Sequence, residues 1–202
     1  MPKRLFDLLL SSLGLLLLWP LLVAIAAWIK LDSAGPVFFR QERVGRHGAP
    51  FRIHKFRTMQ QAAAADADAD ASQITVGADP RITGAGRVLR RTKLDELPQL
   101  LDVLAGTMSL VGPRPEVPRY VALYPPDLRA KVLSVRPGIT DLASLEYRDE
   151  AALLARAADP EREYREVVMP AKLRAAARYV DDMSLATDVR VIGATLRLLW
   201  SH

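Results

Sequence analysis

Residues 8–29 read LLLSSLGLLLLWPLLVAIAAWI, a run of 22 residues without a charged side chain. As a straight helix this run would be about 33 Å long, which is enough to cross the hydrocarbon core of a bilayer. Its thirteen Leu, Ile and Val residues favour insertion by roughly 4–8 kcal/mol in total. The run therefore predicts a membrane segment rather than the core helix of a soluble protein.

The flanks of this run and its central proline bear on how it meets the membrane. A cleaved signal peptide fits less well, because the run is longer than a typical signal core and no small-residue cleavage site follows it. Pro20 removes a backbone donor near the middle of the run, so a kink or break is expected there. Basic residues flank both ends, whereas a spanning helix prefers them on one side. Two interpretations stay open on these grounds: a kinked span, and a helix that dips into the membrane and returns to the same face.

Composition limits the chemistry of the rest of the 202-residue chain, which is long enough for one compact domain beside the membrane segment. The whole chain carries 28 Lys and Arg against 23 Asp and Glu, so phosphorylated ligands, anionic lipid and nucleic acid are all conceivable partners. The absence of cysteine from the sequence excludes disulfides, thiolate catalysis and cysteine zinc sites. The three histidines have no zinc-ligand spacing.

Local patterns predict the elements of this domain. Residues 37–42 and 51–57 are aromatic, β-branched and basic, which predicts a β-hairpin placed to meet lipid headgroups. Residues 62–72 read AAAADADADAS and predict a mobile loop or a frayed helix. Stiff turns are expected at 112–115 and 136–138, and helices from Asp95 to about Leu104 and over 150–158, 170–182 and 185–200. The last helix either packs in the core or lies on the membrane surface.

Asp95 and Glu96 are adjacent carboxylates that directly follow a basic run. Residues 81–93 carry five Lys or Arg residues and no acid. Two adjacent carboxylates repel each other unless a cation lies beside them, and without a nearby histidine or cysteine that cation is expected to be Mg²⁺. Basic side chains then hold phosphate oxygens while one carboxylate attacks phosphorus. The set indicates phosphoryl transfer; the alternative is that both acids only place negative charge in the first turn of a helix.

Seven motifs occur in order along the chain: KRLFD (3–7), FFRQERVG (38–45), KFRTM (55–59), DPRIT (79–83), LRRTKLDELPQL (89–100), MSLVGPRP (108–115) and VRPGIT (135–140). Together with the proline-interrupted apolar run, they resemble the small monotopic phosphoglycosyl transferases. This is the bacterial sugar transferase family that starts glycan assembly on a polyprenol carrier. The resemblance covers nearly the whole chain.

The resemblance implies a mechanism that agrees with the phosphoryl transfer inferred from the dyad of Asp95 and Glu96. Asp95 matches the family's nucleophile, which attacks the β-phosphate of a UDP-sugar so that UMP leaves; polyprenol phosphate, such as undecaprenyl phosphate, then takes the phosphosugar. Glu96 matches the Mg²⁺ partner, with Asp95 as the second metal-binding residue. Substrate-binding positions are implied for the residues that match the family's other motifs: Lys55, Arg57, Arg90, Pro113, Arg114, Arg136 and Asp188.

The resemblance also implies an α+β, mainly helical fold on the cytoplasmic face of the bacterial inner membrane. A re-entrant membrane helix over 1–31 is expected to precede a catalytic domain over 32–202, built from helices and a β-hairpin with interfacial amphipathic helices. Two features depart from the family. Trp19 stands where many members have a small polar residue, so the bend rests on Pro20 and its packing. Residues 141–148 read DLASLEYR instead of the common continuation, which leaves the transferred sugar open.

Two other classes of function share some of these sequence features. A non-catalytic membrane scaffold that recruits soluble glycosyltransferases needs the apolar helix and the basic hairpin, but not the adjacent acids. A nucleic-acid binder is disfavoured, because the basic residues lack interleaved stacking aromatics, so no nucleic-acid partner is expected. The polyprenol, the glycan pathway (exopolysaccharide, lipopolysaccharide O-antigen, capsule or glycoprotein) and the oligomeric state stay open, with a homodimer among the options.

Overall fold

The computed structural model describes residues 2–60, 79–147 and 150–200, so the segment 62–72 lies outside the described residues. The described part is mostly helical, with three small strand pairs. Its helices are α1 (Pro2–Asp32), α2 (Gly84–Thr92), α3 (Gln99–Ala105), α4 (Pro118–Val121), α5 (Pro126–Val132), α6 (Leu142–Glu146), α7 (Glu150–Leu154), α8 (Pro160–Glu163), α9 (Met169–Asp181) and α10 (Leu185–Trp200). Its strands are β1 (Phe38–Phe39), β2 (Glu42–Val44), β3 (Pro50–Arg52), β4 (Lys55–Phe56), β5 (Ser109–Val111) and β6 (Gly138–Thr140).

Helix α1 contains the whole apolar run and continues through Pro20, so the helix does not break there. By length and composition it could cross a membrane: its most apolar window of 18 residues has a mean hydropathy of 2.4. Only 11% of that window is buried inside the protein. The rest of the window presents large apolar side chains outward, as expected of a helix in contact with lipid.

Both ends of α1 are fastened to the rest of the protein. Near its start, Arg4 Nη1 donates a hydrogen bond of 2.6 Å to the carbonyl of Val103. At its end, the Asp32 carboxylate accepts a hydrogen bond of 3.0 Å from the backbone amide of Ala85. The side chains in the middle of the helix, by contrast, are largely exposed, and Leu16 is 70% exposed. The helix therefore begins and ends on the same body.

The predicted β-hairpin is confirmed, as two antiparallel strand pairs in series. Strand β1 pairs with β4, and β2 pairs with β3 in a register that sets Glu42 opposite Arg52. The parallel pair of β5 and β6 was not predicted. It depends on Gly112 and Gly138, because a side chain on either would collide with the backbone beside the other.

The helix predicted from Asp95 begins later than expected. A 3₁₀ turn covers Leu94–Glu96, and α3 starts only at Gln99, after Pro98. The prediction for 150–158 is too long, since α7 ends at Leu154, whereas α9 lies within one residue of its expected range. Helix α10 has the predicted bounds. One of its faces packs inward through Val191, while Val189 is 56% exposed.

A small hydrophobic cluster connects α1 with the turn that carries the two acids. Ile25 and Ile29 of α1 pack against Phe56 of β4 and Leu89 of α2, and all four are buried. Leu94 packs against the same cluster and directly precedes Asp95. The acidic turn therefore lies immediately beside the C-terminal half of α1.

Candidate active site

The turn that carries the acids is shaped by an unusual backbone conformation. Lys93 ends α2 in the left-handed region, with φ 58° and ψ 14°, which costs a non-glycine residue free energy. The chain then passes through the 3₁₀ turn and Pro98 into α3. This path turns both carboxylates inward, and Asp95 is 2% and Glu96 8% exposed.

Two cations from distant parts of the chain meet these carboxylates. Lys55 Nζ lies 2.8 Å from Asp95 Oδ2 and 3.2 Å from Glu96 Oε1, so one ammonium bridges both acids. Arg114 Nη2 lies 2.5 Å from Glu96 Oε1, and its Nη1 donates to Oε2 at 3.4 Å. The repulsion expected between the adjacent acids is thus offset by Lys55 between them and by Arg114 beside Glu96.

The charges of the site act strongly on Glu96. Burial alone raises the pKa of a carboxyl group, but the charges of Arg114 and Lys55 and the hydrogen bond from Arg114 outweigh it and hold the pKa of Glu96 far below its ordinary value. In turn, the charge of Glu96 raises the pKa of Arg114. Glu96 therefore stays ionised at any physiological pH.

Arg114 is held in place through its own backbone. Its amide donates a hydrogen bond of 3.2 Å to Asp141 Oδ2, and Asp141 Oδ1 also accepts from the amide of Ser144 at the start of α6. Next to it, the carbonyl of Pro113 accepts a 3.0 Å hydrogen bond from the amide of Gly138. The proline-rich loop is therefore stiff in itself and tied to β6, which fixes the direction from which Arg114 reaches Glu96.

One acidic oxygen in the site has no partner. Asp95 Oδ1 is buried and accepts no hydrogen bond within the described residues, although Oδ2 of the same group is held by Lys55. A buried acceptor without a donor is costly, so such an atom points to a group that joins it during function. Within the described residues, Asp95 thus has one oxygen, Oδ2, held by Lys55 and one oxygen, Oδ1, that accepts no hydrogen bond.

The dyad fits a divalent ion only in combination with a substrate. Within 2–60, 79–147 and 150–200, no group of three or more His, Asp or Glu residues is arranged to hold a metal ion. Mg²⁺, however, is commonly bound by one or two carboxylates together with substrate phosphates and water. Asp95 and Glu96 supply two such carboxylates, and the ammonium of Lys55 lies between them.

Comparison with known proteins places the whole chain in one family. The model of the family described as "Bacterial sugar transferase" matches residues 1–202 of this chain. The chain belongs to the bacterial sugar transferase family.

Curated relatives agree with this placement. The chain is 37% identical to the UDP-glucose:undecaprenyl-phosphate glucose-1-phosphate transferase of Escherichia coli over 96% of this chain and 39% of that protein. It is 36% identical to an Aeromonas hydrophila UDP-N-acetylgalactosamine-undecaprenyl-phosphate N-acetylgalactosaminephosphotransferase over 98% of this chain and 43% of that protein. It is 38% identical to an exopolysaccharide production protein of Rhizobium leguminosarum over 96% and 92% of the two chains. The chain thus spans about two fifths of the length of the first two relatives.

Of the site residues predicted from the resemblance to sugar transferases, the structure brings Lys55 and Arg114 onto the dyad. Pro113 lies beside Arg114, and Arg90 lies in the last turn of α2, directly before the acidic turn. The bridging of both acids by Lys55 was not predicted, because the resemblance implied only a substrate-binding position for this residue.

The other three predicted residues are engaged elsewhere. Arg57 is 2% exposed and donates to the last carbonyls of α1 and the residues after it, including that of Ser33 at 2.8 Å. Arg136 Nε donates to the carbonyl of Gly106 at 2.7 Å. Asp188 is buried against Lys3. These contacts give the three residues roles in holding the fold together, and a substrate contact for them stays a prediction that the contacts do not support.

Sequence reasoning missed the contacts of two other buried carboxylates. Asp141 was noted only as a departure from the family pattern, and the pairing of His54 with Asp102 was not foreseen at all. His54 and Asp102 are 48 positions apart, so no local spacing signals their contact. The one available signal was the place of His54 directly before Lys55.

Proposed function

We propose that this chain transfers a phosphosugar from a UDP-sugar to polyprenol phosphate through a phosphosugar–aspartate intermediate. The observation that carries the proposal is the buried dyad of Asp95 and Glu96, in which Asp95 keeps one oxygen without a partner while Lys55 and Arg114 supply positive charge. Two of the relatives are named as transferases of sugar phosphates to undecaprenyl phosphate, which points in the same direction.

The reaction follows in two steps. Asp95 Oδ1 attacks the β-phosphorus, an oxygen–phosphorus bond forms, and the bond to the bridging oxygen breaks so that UMP leaves with the electron pair. A phosphate oxygen of the polyprenol phosphate then attacks the same phosphorus, and the bond to Asp95 breaks. The carboxylate is restored, and polyprenol diphosphate sugar is the product.

The residues around Asp95 provide binding and charge rather than proton transfer. Lys55 holds Oδ2 and thereby turns Oδ1 toward the reacting position, while Arg114 and the basic last turn of α2 offer donors to phosphate oxygens. Mg²⁺ held by Asp95 and Glu96 would neutralise charge on the diphosphate. Asp95 is only 2% exposed, whereas the side chain of Lys55 is 23% exposed, so Lys55 can face a bound diphosphate while it holds Asp95.

The placement of the helix supports a location on one face of the membrane. Although α1 continues through Pro20, both of its ends are fastened to the same body, so we propose a re-entrant helix whose two ends stay on the side where UDP-sugars occur, the cytoplasmic side. The dyad then lies next to the membrane, because Leu94 packs against the cluster that contains Ile25 and Ile29. A polyprenol phosphate in the inner leaflet would meet Asp95 without leaving the lipid.

Release of UMP tests the proposal. The purified protein is incubated with polyprenol phosphate, Mg²⁺ and a panel of UDP-sugars that begins with UDP-glucose and UDP-N-acetylgalactosamine. We expect release with at least one donor, and a loss of about a thousandfold or more in Asp95→Asn, which keeps the size of the side chain but not the nucleophile. Substantial activity in Asp95→Asn contradicts the assigned nucleophile. Binding of UDP-sugar without release by the wild type supports the scaffold instead.

A further inference from the structure

His54 and Asp102 form a cross-link between the hairpin and the helix that follows the dyad. The Asp102 carboxylate accepts two hydrogen bonds from one residue: the backbone amide of His54 donates to Oδ2 at 2.8 Å, and Nδ1 of its ring donates to Oδ1 at 2.7 Å. Since a carboxylate only accepts, the ring carries a proton on Nδ1. This pair uses both oxygens of a carboxylate that is 3% exposed.

Further contacts hold each partner of this pair. The ring of Phe38 meets the ring of His54 edge-on at 6.3 Å between centroids and stacks on Phe56 at 5.6 Å. On the other side, the backbone carbonyl of Asp102 accepts from the amides of Thr107 and Met108, just after the end of α3. The cross-link therefore joins two rigid parts of the fold.

The pair of His54 and Asp102 connects the segment that carries Lys55 with the helix that follows the dyad. His54 directly precedes Lys55, whose ammonium bridges Asp95 and Glu96. Asp102 lies on α3, the helix that follows the dyad. Lys55 thus reaches the dyad from a backbone that is tied, one residue earlier, to the helix that follows the dyad.

We propose that His54 is a positioning residue, which, through its two hydrogen bonds to Asp102, fixes the backbone from which Lys55 holds the nucleophile. The fixed point matters because the side chain of Lys55 is long and flexible, and a cation on a mobile anchor loses its orienting effect on Asp95. The arrangement fixes the base of the side chain, so that the ammonium keeps its place on Asp95 and Glu96.

The inference rests on the proposed function insofar as UMP release is its first measure. A double-mutant cycle compares the wild type, His54→Phe, Lys55→Met and the double variant. His54→Phe keeps a ring beside Phe38 but removes the donor to Asp102. We expect kcat/KM to fall about tenfold in His54→Phe, and less than about twofold when the same change is made in Lys55→Met. Equal losses in the two backgrounds contradict the inference, because a general structural defect acts without Lys55.

Two further variants separate the hydrogen bond from packing and from the general loss of a histidine. In His54→Asn the amide nitrogen takes the place of Nδ1, so we expect most of the activity to return; activity no higher than in His54→Phe contradicts the inference. His47→Asn is the matched control, because His47 is exposed and its left-handed backbone, with φ 58°, suits asparagine. Its kcat/KM is expected to stay within twofold of the wild type.

A second readout distinguishes failure of the inference from failure of the proposed function. A wild type that releases no UMP contradicts the proposed function alone, because the thermal unfolding midpoints of the same four cycle proteins still report the coupling. If His54 positions Lys55, Lys55→Met lowers the midpoint less in the His54→Phe background than in the wild type. Equal decreases in both backgrounds contradict the inference, whatever the catalytic result.

Discussion

Lys3 Nζ lies 2.5 Å from Asp188 Oδ2, although 185 positions separate the two residues. Asp188 is fully buried and also accepts a 2.6 Å hydrogen bond from the hydroxyl of Tyr179. Lys3 lies in the first turn of α1 and Asp188 in the first turn of α10, so the pair fastens the start of α1 to α10. Burial and the bond to Asp188 raise the pKa of Tyr179, so its hydroxyl stays a donor at neutral pH.

We expect Asp188→Leu to lower the free energy of unfolding by about 3–5 kcal/mol, because it leaves the Lys3 ammonium without its counter-charge. The double variant Lys3→Met with Asp188→Leu should cost less than the sum of the two single changes, as measured by denaturant unfolding in detergent. As a control, Arg162→Ala removes an ion pair between exposed side chains and should leave the unfolding midpoint unchanged. Simple additivity of the two single changes would show that the pair is not coupled.

Lys55→Met tests the cation between the two acids. The change keeps the length of the side chain but removes the ammonium that lies 2.8 Å from Asp95 Oδ2. Hydrogen bonds to charged groups contribute about 1.5–3 kcal/mol, so we expect kcat/KM to fall about 10- to 100-fold. Lys55→Arg should recover part of the loss. Unchanged kinetics in Lys55→Met would mean that the ammonium plays no part in orienting the nucleophile.

The depressed pKa of Glu96 predicts how stability depends on pH. The pKa of Glu96 is lower in the folded than in the unfolded state. The contribution of Glu96 to the free energy of unfolding is therefore complete above the ordinary glutamate pKa of about 4.3, and it is lost progressively as the pH falls below that value toward the pKa of the folded state. Glu96→Gln should therefore be less stable than the wild type at pH 7. The difference between their unfolding midpoints should shrink as the pH is lowered from about 5 to 3. A difference that stays constant over this range would contradict the assigned shift.

The left-handed conformation of Lys93 predicts opposite effects on stability and activity. Lys93→Gly removes the backbone strain, so the free energy of unfolding should rise by about 0.5–1 kcal/mol. The same change removes a cation from the turn before Asp95, so UMP release should fall. Lys93→Ala loses the charge but keeps the strain, and it should reduce activity without gaining stability. A drop in the unfolding midpoint of Lys93→Gly would show that the long side chain stabilises the turn by more than its strain costs.

The topology of α1 can be tested by labelling, because the sequence contains no cysteine and each introduced thiol is therefore unique. Pro2→Cys and Ala34→Cys place thiols at exposed positions at the two ends of the helix. We expect both to react with a membrane-impermeant maleimide in inverted inner-membrane vesicles, and neither in intact spheroplasts. Labelling of the two ends from opposite sides would establish a spanning helix.

Much of the architecture could be predicted from local patterns. The apolar run indicated α1, the aromatic and β-branched stretches indicated the hairpin, and the helical periodicity near the C-terminus gave α10 its bounds. The dyad was evident because Asp95 and Glu96 are neighbours in the chain. The start of α3 was misplaced because Lys93 adopts a left-handed conformation, which separates α2 from a 3₁₀ turn where a regular helix start was expected.

The sequence by itself determined the long apolar helix, the hairpin and the pair of adjacent acids, since each depends on residues close together in the chain. Only the tertiary structure decided which cations meet the acids: Lys55 lies 41 positions before Glu96 and Arg114 lies 18 positions after it. Arg57, only two residues from Lys55, faces the end of α1 instead. Local periodicity encodes which elements form and which of their faces are apolar. The packing of those faces then brings together side chains that no spacing in the chain relates.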